Sequence, residues 1–241
     1  MFTTMQFSHP HYLPLTLPFF ALLVGLFVFL LAMLQVGALR YAYMRIGLSG
    51  GWAMVVLLGS LVGSYFNIPV IELPERHIIS GDEVNFFGMR YVIPVVVDWP
   101  GTLVAINVGG ALIPGLMSLY LFIRYRLWVR GLLAIACVAV LCNQIAHPVR
   151  GLGIAMPVFV PAIASAIVAV LLSPRRAAAL AYIGGSLGTL VGADLVNLGK
   201  IQGLGAPVAS IGGAGTFDGI FLTGVLAVLL ASFPGETRRR A

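Results

Sequence analysis

Seven apolar runs follow one another along the chain, at 17–39, 51–71, 102–123, 131–147, 152–172, 177–198 and 210–233. A helix needs about 20 such residues to cross ~30 Å of hydrocarbon. Inside lipid only helices and closed barrels satisfy their own backbone groups. Little else is left to build with: of 241 residues, 60% are hydrophobic and 9% charged. A soluble domain carries roughly 25% charged residues. A water-soluble enzyme, a disordered tail and a disulfide scaffold are therefore excluded. The expected fold is an all-α integral membrane protein of about seven transmembrane helices, forming one polytopic domain over 1–241. Its 29 Gly and 14 Pro fit that class, since both are commoner in membrane helices. The fourth run is the shortest.

The basic residues set the direction. Arg40 and Arg45 follow the first run, Arg124, Arg126 and Arg130 the third, Arg175 and Arg176 the fifth, and Arg238, Arg239 and Arg240 end the chain. These share one side, against Arg76, Arg90, Arg150 and Lys200 on the other. The positive-inside rule makes the larger group cytoplasmic, with the N-terminus outside and the C-terminus inside. The formal charge of +6 is thus a topology signal, and no nucleic-acid partner is expected. The segment before the first run, 1–16, has no Lys or Arg, so that run does not read as a cleavable signal peptide. The segment 72–100 holds five of the eight acidic residues. It carries a turn signal at Ser80-Gly81-Asp82 between β-prone stretches, which predicts a short extracytoplasmic hairpin or flap. Cys137 and Cys142 lie five residues apart in one apolar run and say nothing firm about redox compartment.

Ionisable groups inside hydrocarbon are expensive, so each is a functional hypothesis. Asp194 stands about 6 Å below the outer end of the sixth run, and Asp218 about 6–12 Å deep in the seventh, at ~1.5 Å per residue. Consecutive antiparallel helices are normally neighbours. Two aspartates in one low-dielectric site share a proton and titrate as a unit. Such a pair can activate water and protonate a leaving amine. Two other readings use the same residues. Asp194 and Asn197 can bond the Gly-rich backbone while Asp218 caps its helix, or the aspartates can bind a cation or proton. Asn67, Asn107, Asn143 and Gln144 suit interhelical hydrogen bonds, and His147 an interfacial position. Gly184-Gly185-Ser186-Leu187-Gly188 matches G-x-S-x-G, but a nucleophile elbow needs a strand before it. Gly184, Gly188 and Gly192 recur every four residues, the spacing that lets helices approach closely. Pro114, Pro157 and Pro161 mark kinks or broken helices.

Asn107-Val-Gly-Gly-Ala-Leu-Ile-Pro114, Gly188-Thr-Leu-Val-Gly-Ala-Asp194 and Ser210-Ile-Gly-Gly-Ala-Gly-Thr-Phe-Asp-Gly-Ile-Phe-Leu-Thr-Gly224 together resemble domain-of-unknown-function family 1614, a set of bacterial and archaeal membrane proteins. That likeness implies a multi-pass protein of the bacterial or archaeal cytoplasmic membrane and carries no activity. A second, distant resemblance is to the di-aspartyl intramembrane proteases, which carry one Asp in one span and a Gly-x-Gly-Asp motif in the next. Here Gly213-Ala214-Gly215 is followed by Thr216 and Phe217 before Asp218, two residues longer. Pro161-Ala162-Ile163 loosely echoes their Pro-Ala-Leu motif, earlier in the chain.

The leading functional expectation is an intramembrane aspartic protease-like protein. Asp194 and Asp218 are its catalytic pair, and Gly213, Gly215, Asn197 and Asn107 are its substrate-binding residues. The segment 72–100 is its lid or exosite. The partners are the bilayer and a membrane-protein or peptide substrate, with no cofactor and no metal. The rivals are a small cation- or proton-coupled transporter or channel built on the same aspartates, and a non-catalytic membrane assembly factor.

Overall fold

The computed structural model describes residues 25, 28, 32, 35–74, 76–86, 89–99, 101–149, 153–157, 159–201, 208–213 and 219–232. It divides into two compact units, Met1–Ala38 and Leu39–Ala241. In the first, every described residue is helical. The helix α1, Gln35–Arg45, continues into the second, which holds everything that follows.

Most described residues are helical. After α1 come α2 (Gly50–Gly63), α3 (Ile113–Tyr125), α4 (Trp128–Ile145), α5 (Phe159–Leu172), α6 (Ala177–Thr189), the short α7 (Leu198–Ile201) and α8 (Gly219–Ser232). Among the described residues, three helical stretches, Val108–Tyr125, Trp128–Ile145 and Pro174–Leu195, are long and apolar enough to cross a membrane, or four if the bent pair of α1 and α2 is one span. α5 and α8 are apolar but shorter, at 14 residues each, or about 21 Å.

The expectation of an all-helical fold is corrected by strands. β1 (Asn67–Leu73), β4 (Thr102–Asn107) and β7 (Val208–Ile211) form a sheet in the order β1-β4-β7. β1 pairs β4 antiparallel and β4 pairs β7 in parallel. The second run therefore stops as a helix at Gly63, and the third and seventh begin as strands. The reason lies in composition. Ile68, Val70 and Ile71 are β-branched, Pro69 cannot continue a helix, and a wholly apolar run hides whether its period is 2 or 3.6. Similarly, Gly153–Ala155 pairs with His147–Val149 as β6 on β5, and α5 begins only after Pro157.

Between β1 and β4 stands the expected hairpin, β2 (Arg76–Phe86) on β3 (Met89–Trp99), antiparallel over eleven residues each. Its reversal differs from the expected one. Ser80, Gly81 and Asp82 pair with Val95, Pro94 and Ile93 inside the ladder, whose last pair is Phe86 with Met89.

Packing is inverted relative to a water-soluble bundle. Ile163, Ile167 and Leu171 form an exposed i, i+4 stripe on α5, and Leu116, Leu119 and Ile123 form a similar one on α3. The interior mixes large side chains such as Tyr43, Tyr182, Leu121 and Leu180 with small ones: Ala134, Ala162, Ala169, Ala181 and Ala227 are fully buried. The small residues permit close backbone contact, as in lipid-embedded helix packing. α6 is the hub. A Cβ on Gly184 would meet Ser165 Oγ at 2.8 Å, one on Gly188 would meet Val138 Cβ at 2.7 Å, and one on Gly192 would strike the Ala139 backbone. The four-residue glycine spacing is thus mainly the α6–α4 contact. Ser186 of the G-x-S-x-G match is fully buried within this packing, facing Gly224 of α8.

Arg45, Arg124, Arg130 and Arg176 gather at one end of the bundle. Arg45 Nη2 donates to Ser232 O (3.3 Å), at the C-terminus of α8. Arg130 Nη1 donates to Ser173 Oγ (3.4 Å), beyond the end of α5. The Tyr125 hydroxyl donates to Ile46 O (3.0 Å). The three-stranded sheet lies at the other end of α3, about 25 Å away at ~1.5 Å per residue.

Candidate functional site

At the sheet end three strands and two distorted helical turns meet. Five π-helical residues, Val108–Leu112, open α3, and six, Leu190–Leu195, close α6. Such wide turns recur at functional sites. Each is held by an asparagine. Asn107 Oδ1 accepts from Gly110 N (2.8 Å), while its Nδ2 donates to Ser64 O (2.7 Å) and Asn67 Oδ1 (3.1 Å). Asn107 is fully buried, and both its amide protons are used. It locks the end of α2, β1 and the first π turn together. Gly63 packs there on Gly109, where an added Cβ would meet Gly109 N at 3.0 Å.

Asn197 serves the second turn. Its Nδ2 donates to Gly192 O (3.0 Å) and Ala193 O (2.9 Å), carbonyls that the wide turn leaves available. Its Oδ1 is buried and has no hydrogen-bond partner among the described residues.

Asp194 lies in that turn, half-buried, and its Oδ2 accepts the backbone N–H of Gly212 at 3.1 Å. Gly212 (φ 87°) and Gly213 (φ 75°) both adopt the left-handed conformation, which suits glycine. A Cβ on Gly212 would also meet Ala111 N at 2.7 Å. The two glycines therefore turn the chain sharply out of β7 and present an amide to Asp194. Ser210 anchors the other side of this turn. Its hydroxyl reaches Asn67 Oδ1 (2.6 Å) and Gly213 O (2.8 Å), and has one proton to donate between them.

Of the residues expected to form the site, Asp194 bonds the amide of Gly212, the residue that precedes Gly213 in the turn. Asn107 stands on the same joint through Asn67 and Ser210, and Asn197 buttresses the turn that carries Asp194. Asp218 and Gly215 lie outside the described residues. Gly219, which follows Asp218 in sequence, is the first residue of α8, at the end opposite Ser232 and the arginines. Gly212 and Ser210 were not singled out as site residues. The signal was present as a glycine doublet two residues after a serine, a pattern suited to a positive-φ turn. Asn143 and Gln144 are exposed on the last turn of α4.

Chemically the site offers a carboxylate beside a strand edge. β7 is at the edge of its sheet and pairs on one side with β4. Among the described residues no group of three or more His, Cys, Asp or Glu is placed to hold a metal.

A family model described as "Protein of unknown function (DUF1614)" matches residues 61–230. No curated protein and no solved structure matches the chain.

Proposed function

For this chain, which belongs to the DUF1614 family, we propose an aspartic peptidase-like hydrolase that cleaves peptide bonds at the membrane, using Asp194 and Asp218 as one acid–base pair. The observation that carries the reading is the hydrogen bond from Gly212 N to Asp194 Oδ2. It ties the first aspartate to the segment that leads, six residues on, to the second. Gly219 at the head of α8 bounds that segment from the other side.

In this reading one carboxylate takes a proton from water as the water oxygen adds to the scissile carbonyl carbon. The other, protonated, gives its proton to the carbonyl oxygen. Collapse of the resulting diol breaks the C–N bond: the first aspartate, now protonated, gives its proton to the leaving nitrogen while the second takes one from a diol hydroxyl, so that acid and amine are released. The two aspartates thus exchange roles between addition and collapse, and the pair ends in its starting protonation state. The edge of β7 supports the same reading, since an extended peptide that adds to it runs toward Asp194. Gly213 and Gly215 keep that approach clear of side chains, and the β2–β3 hairpin acts as lid or exosite.

The reading also takes the chain as crossing a bacterial or archaeal cytoplasmic membrane seven times, N-terminus outside and C-terminus inside. Its support is the gathering of Arg45, Arg124, Arg130 and Arg176 at the end opposite Asp194.

The test is hydrolysis of a panel of labelled single-span peptides in proteoliposomes, read by mass spectrometry. Groups acting as one unit are non-additive. Asp194→Asn, Asp218→Asn and the double variant should all fall to the same background. Equal cleavage by the wild type and the double variant would end the proposal.

Asn197 favours one alternative. Its Oδ1, one turn from Asp194 and without a hydrogen-bond partner among the described residues, is a hard oxygen of the kind a small cation takes. A cation- or proton-coupled transporter built on Asp194 would then show ion flux in proteoliposomes and no cleavage.

A further inference from the structure

We propose that the arginine end of the bundle holds a phosphate group between Arg124 and Arg176, across the ring of Tyr125. The ring is fixed by its hydroxyl, which donates to Ile46 O at 3.0 Å. Arg176 Cζ stands 4.4 Å from its centroid and Arg124 Cζ 5.8 Å. Arg124 also lies 5.5 Å from the Tyr120 centroid and donates to the Tyr120 hydroxyl. A guanidinium resting on a ring uses its flat face and leaves N–H edges free. Two exposed forks from different turns are thereby pre-positioned around one aromatic plate.

Among the described residues these charges have no protein counterion at this end. The helices α1 to α8 and their π-helical ends contain one acidic residue, Asp194, at the opposite end of the bundle. Arg40, Arg45, Arg126, Arg130 and Arg175 only add to the positive field of this end. The two guanidinium carbons lie within about 10 Å of each other, and two like charges at that separation repel. A tetrahedral anion relieves this better than a carboxylate, because its oxygens can take fork edges from two arginines together. Exposed aromatic rings stand at the same end: Trp128 (54%), Tyr41 (42%) and Tyr120 (42%). That is the belt at which a bilayer's headgroups lie. The phosphate thus comes from an anionic lipid headgroup or from free phosphate, and the chemistry of the site is the same for both.

The test uses the whole chain, purified in detergent and stripped of lipid. In one arm phosphatidylglycerol and phosphatidylcholine compete for it, and native mass spectrometry reads the retained lipid. In the other, melting is followed in potassium phosphate against potassium chloride of equal ionic strength. For a lipid source, phosphatidylglycerol should be retained about tenfold over phosphatidylcholine, and Arg124→Gln/Arg176→Gln should abolish that preference. For a free-phosphate source, phosphate should raise the melting temperature of the wild type and not of the double variant. Arg124→Lys/Arg176→Lys keeps the charge and loses fork and stack, so it should lose most of the effect in whichever arm responds. Arg175→Gln removes a charge from the same turn and should leave the effect within about twofold of wild type. The proposal is overturned if neither arm responds. It is equally overturned if Arg175→Gln loses as much as the double variant, for then only a diffuse field acts.

Discussion

Asp194 Oδ2 and the backbone N–H of Gly212 meet at 3.1 Å, and this bond joins the π-helical end of α6 to the glycine turn that follows β7. The carboxylate is held by an amide that only an unusual backbone can present. Gly212 has φ 87°, and an added Cβ would stand 2.6 Å from Ala111 Cβ.

Gly212→Ala should therefore be costly out of proportion to one methyl group. Positive-φ strain in a non-glycine residue costs about 1–3 kcal/mol, and the contact with Ala111 adds to it. The melting temperature in nanodiscs should fall, and any activity that depends on Asp194 should fall with it. A variant as stable and active as wild type would show that the turn is not fixed by this glycine.

The α4–α6 contact gives a sharper contrast between two glycines. Gly188→Leu drives its side chain into Val138, and overpacking typically costs about 1–3 kcal/mol. Gly115 on α3 has nothing within 4 Å of an added Cβ. Gly115→Ala should be neutral or slightly stabilising, by up to ~1 kcal/mol of helix propensity. Melting of the two variants side by side checks the pair. Equal losses would place Gly188 on a lipid-facing surface.

Asn107→Ala removes three hydrogen bonds at once and takes a partner from Gly110 N and Ser64 O, while Asn67 Oδ1 keeps the Ser210 hydroxyl. A buried group left unpaired costs about 1–3 kcal/mol, so this change should rank among the most damaging single substitutions in the chain. Hydrogen exchange should quicken in β1 and β4, the strands Asn107 ties together, more than in α5. Uniform quickening would contradict the local role.

The sequence carries part of this architecture openly. Asp194 stands out as a charge in an apolar run, and the glycine repeat at Gly184, Gly188 and Gly192 announces a close helix contact through spacing alone. The sheet is not legible in that way. β4 and β7 pair in parallel from Leu103↔Val208 to Ile106↔Ile211, about a hundred residues apart, and both lie at the edges of apolar runs that read equally well as helix. Only Pro69 in β1 resists the helical reading. Asn107 reads more directly: a polar residue in an apolar run suits hydrogen bonds between elements, and here both its amide protons are used within the protein. The roles of Gly212 and Ser210 depend on a turn conformation, which residue types suggest and only coordinates locate.

The central claim is that Asp194 and Asp218 form one site, and cross-linking tests it most directly. In a chain with Cys137 and Cys142 changed to Ala, Asp194→Cys and Asp218→Cys are introduced together. The membrane-embedded protein is treated with a bifunctional thiosulfonate spanning ~5 Å, and the linked peptides are read by mass spectrometry. Carboxyl groups that share a proton hold their Cβ atoms about 6–7 Å apart, within reach of two thiols joined by that spacer though beyond the ~3.5–4.5 Å of a direct disulfide. The account predicts efficient cross-linking of the pair, matched by the neighbouring Asp194→Cys/Gly213→Cys pair. Cross-linking of position 194 to position 213 but never to position 218, even with reagents reaching ~10 Å, would contradict it.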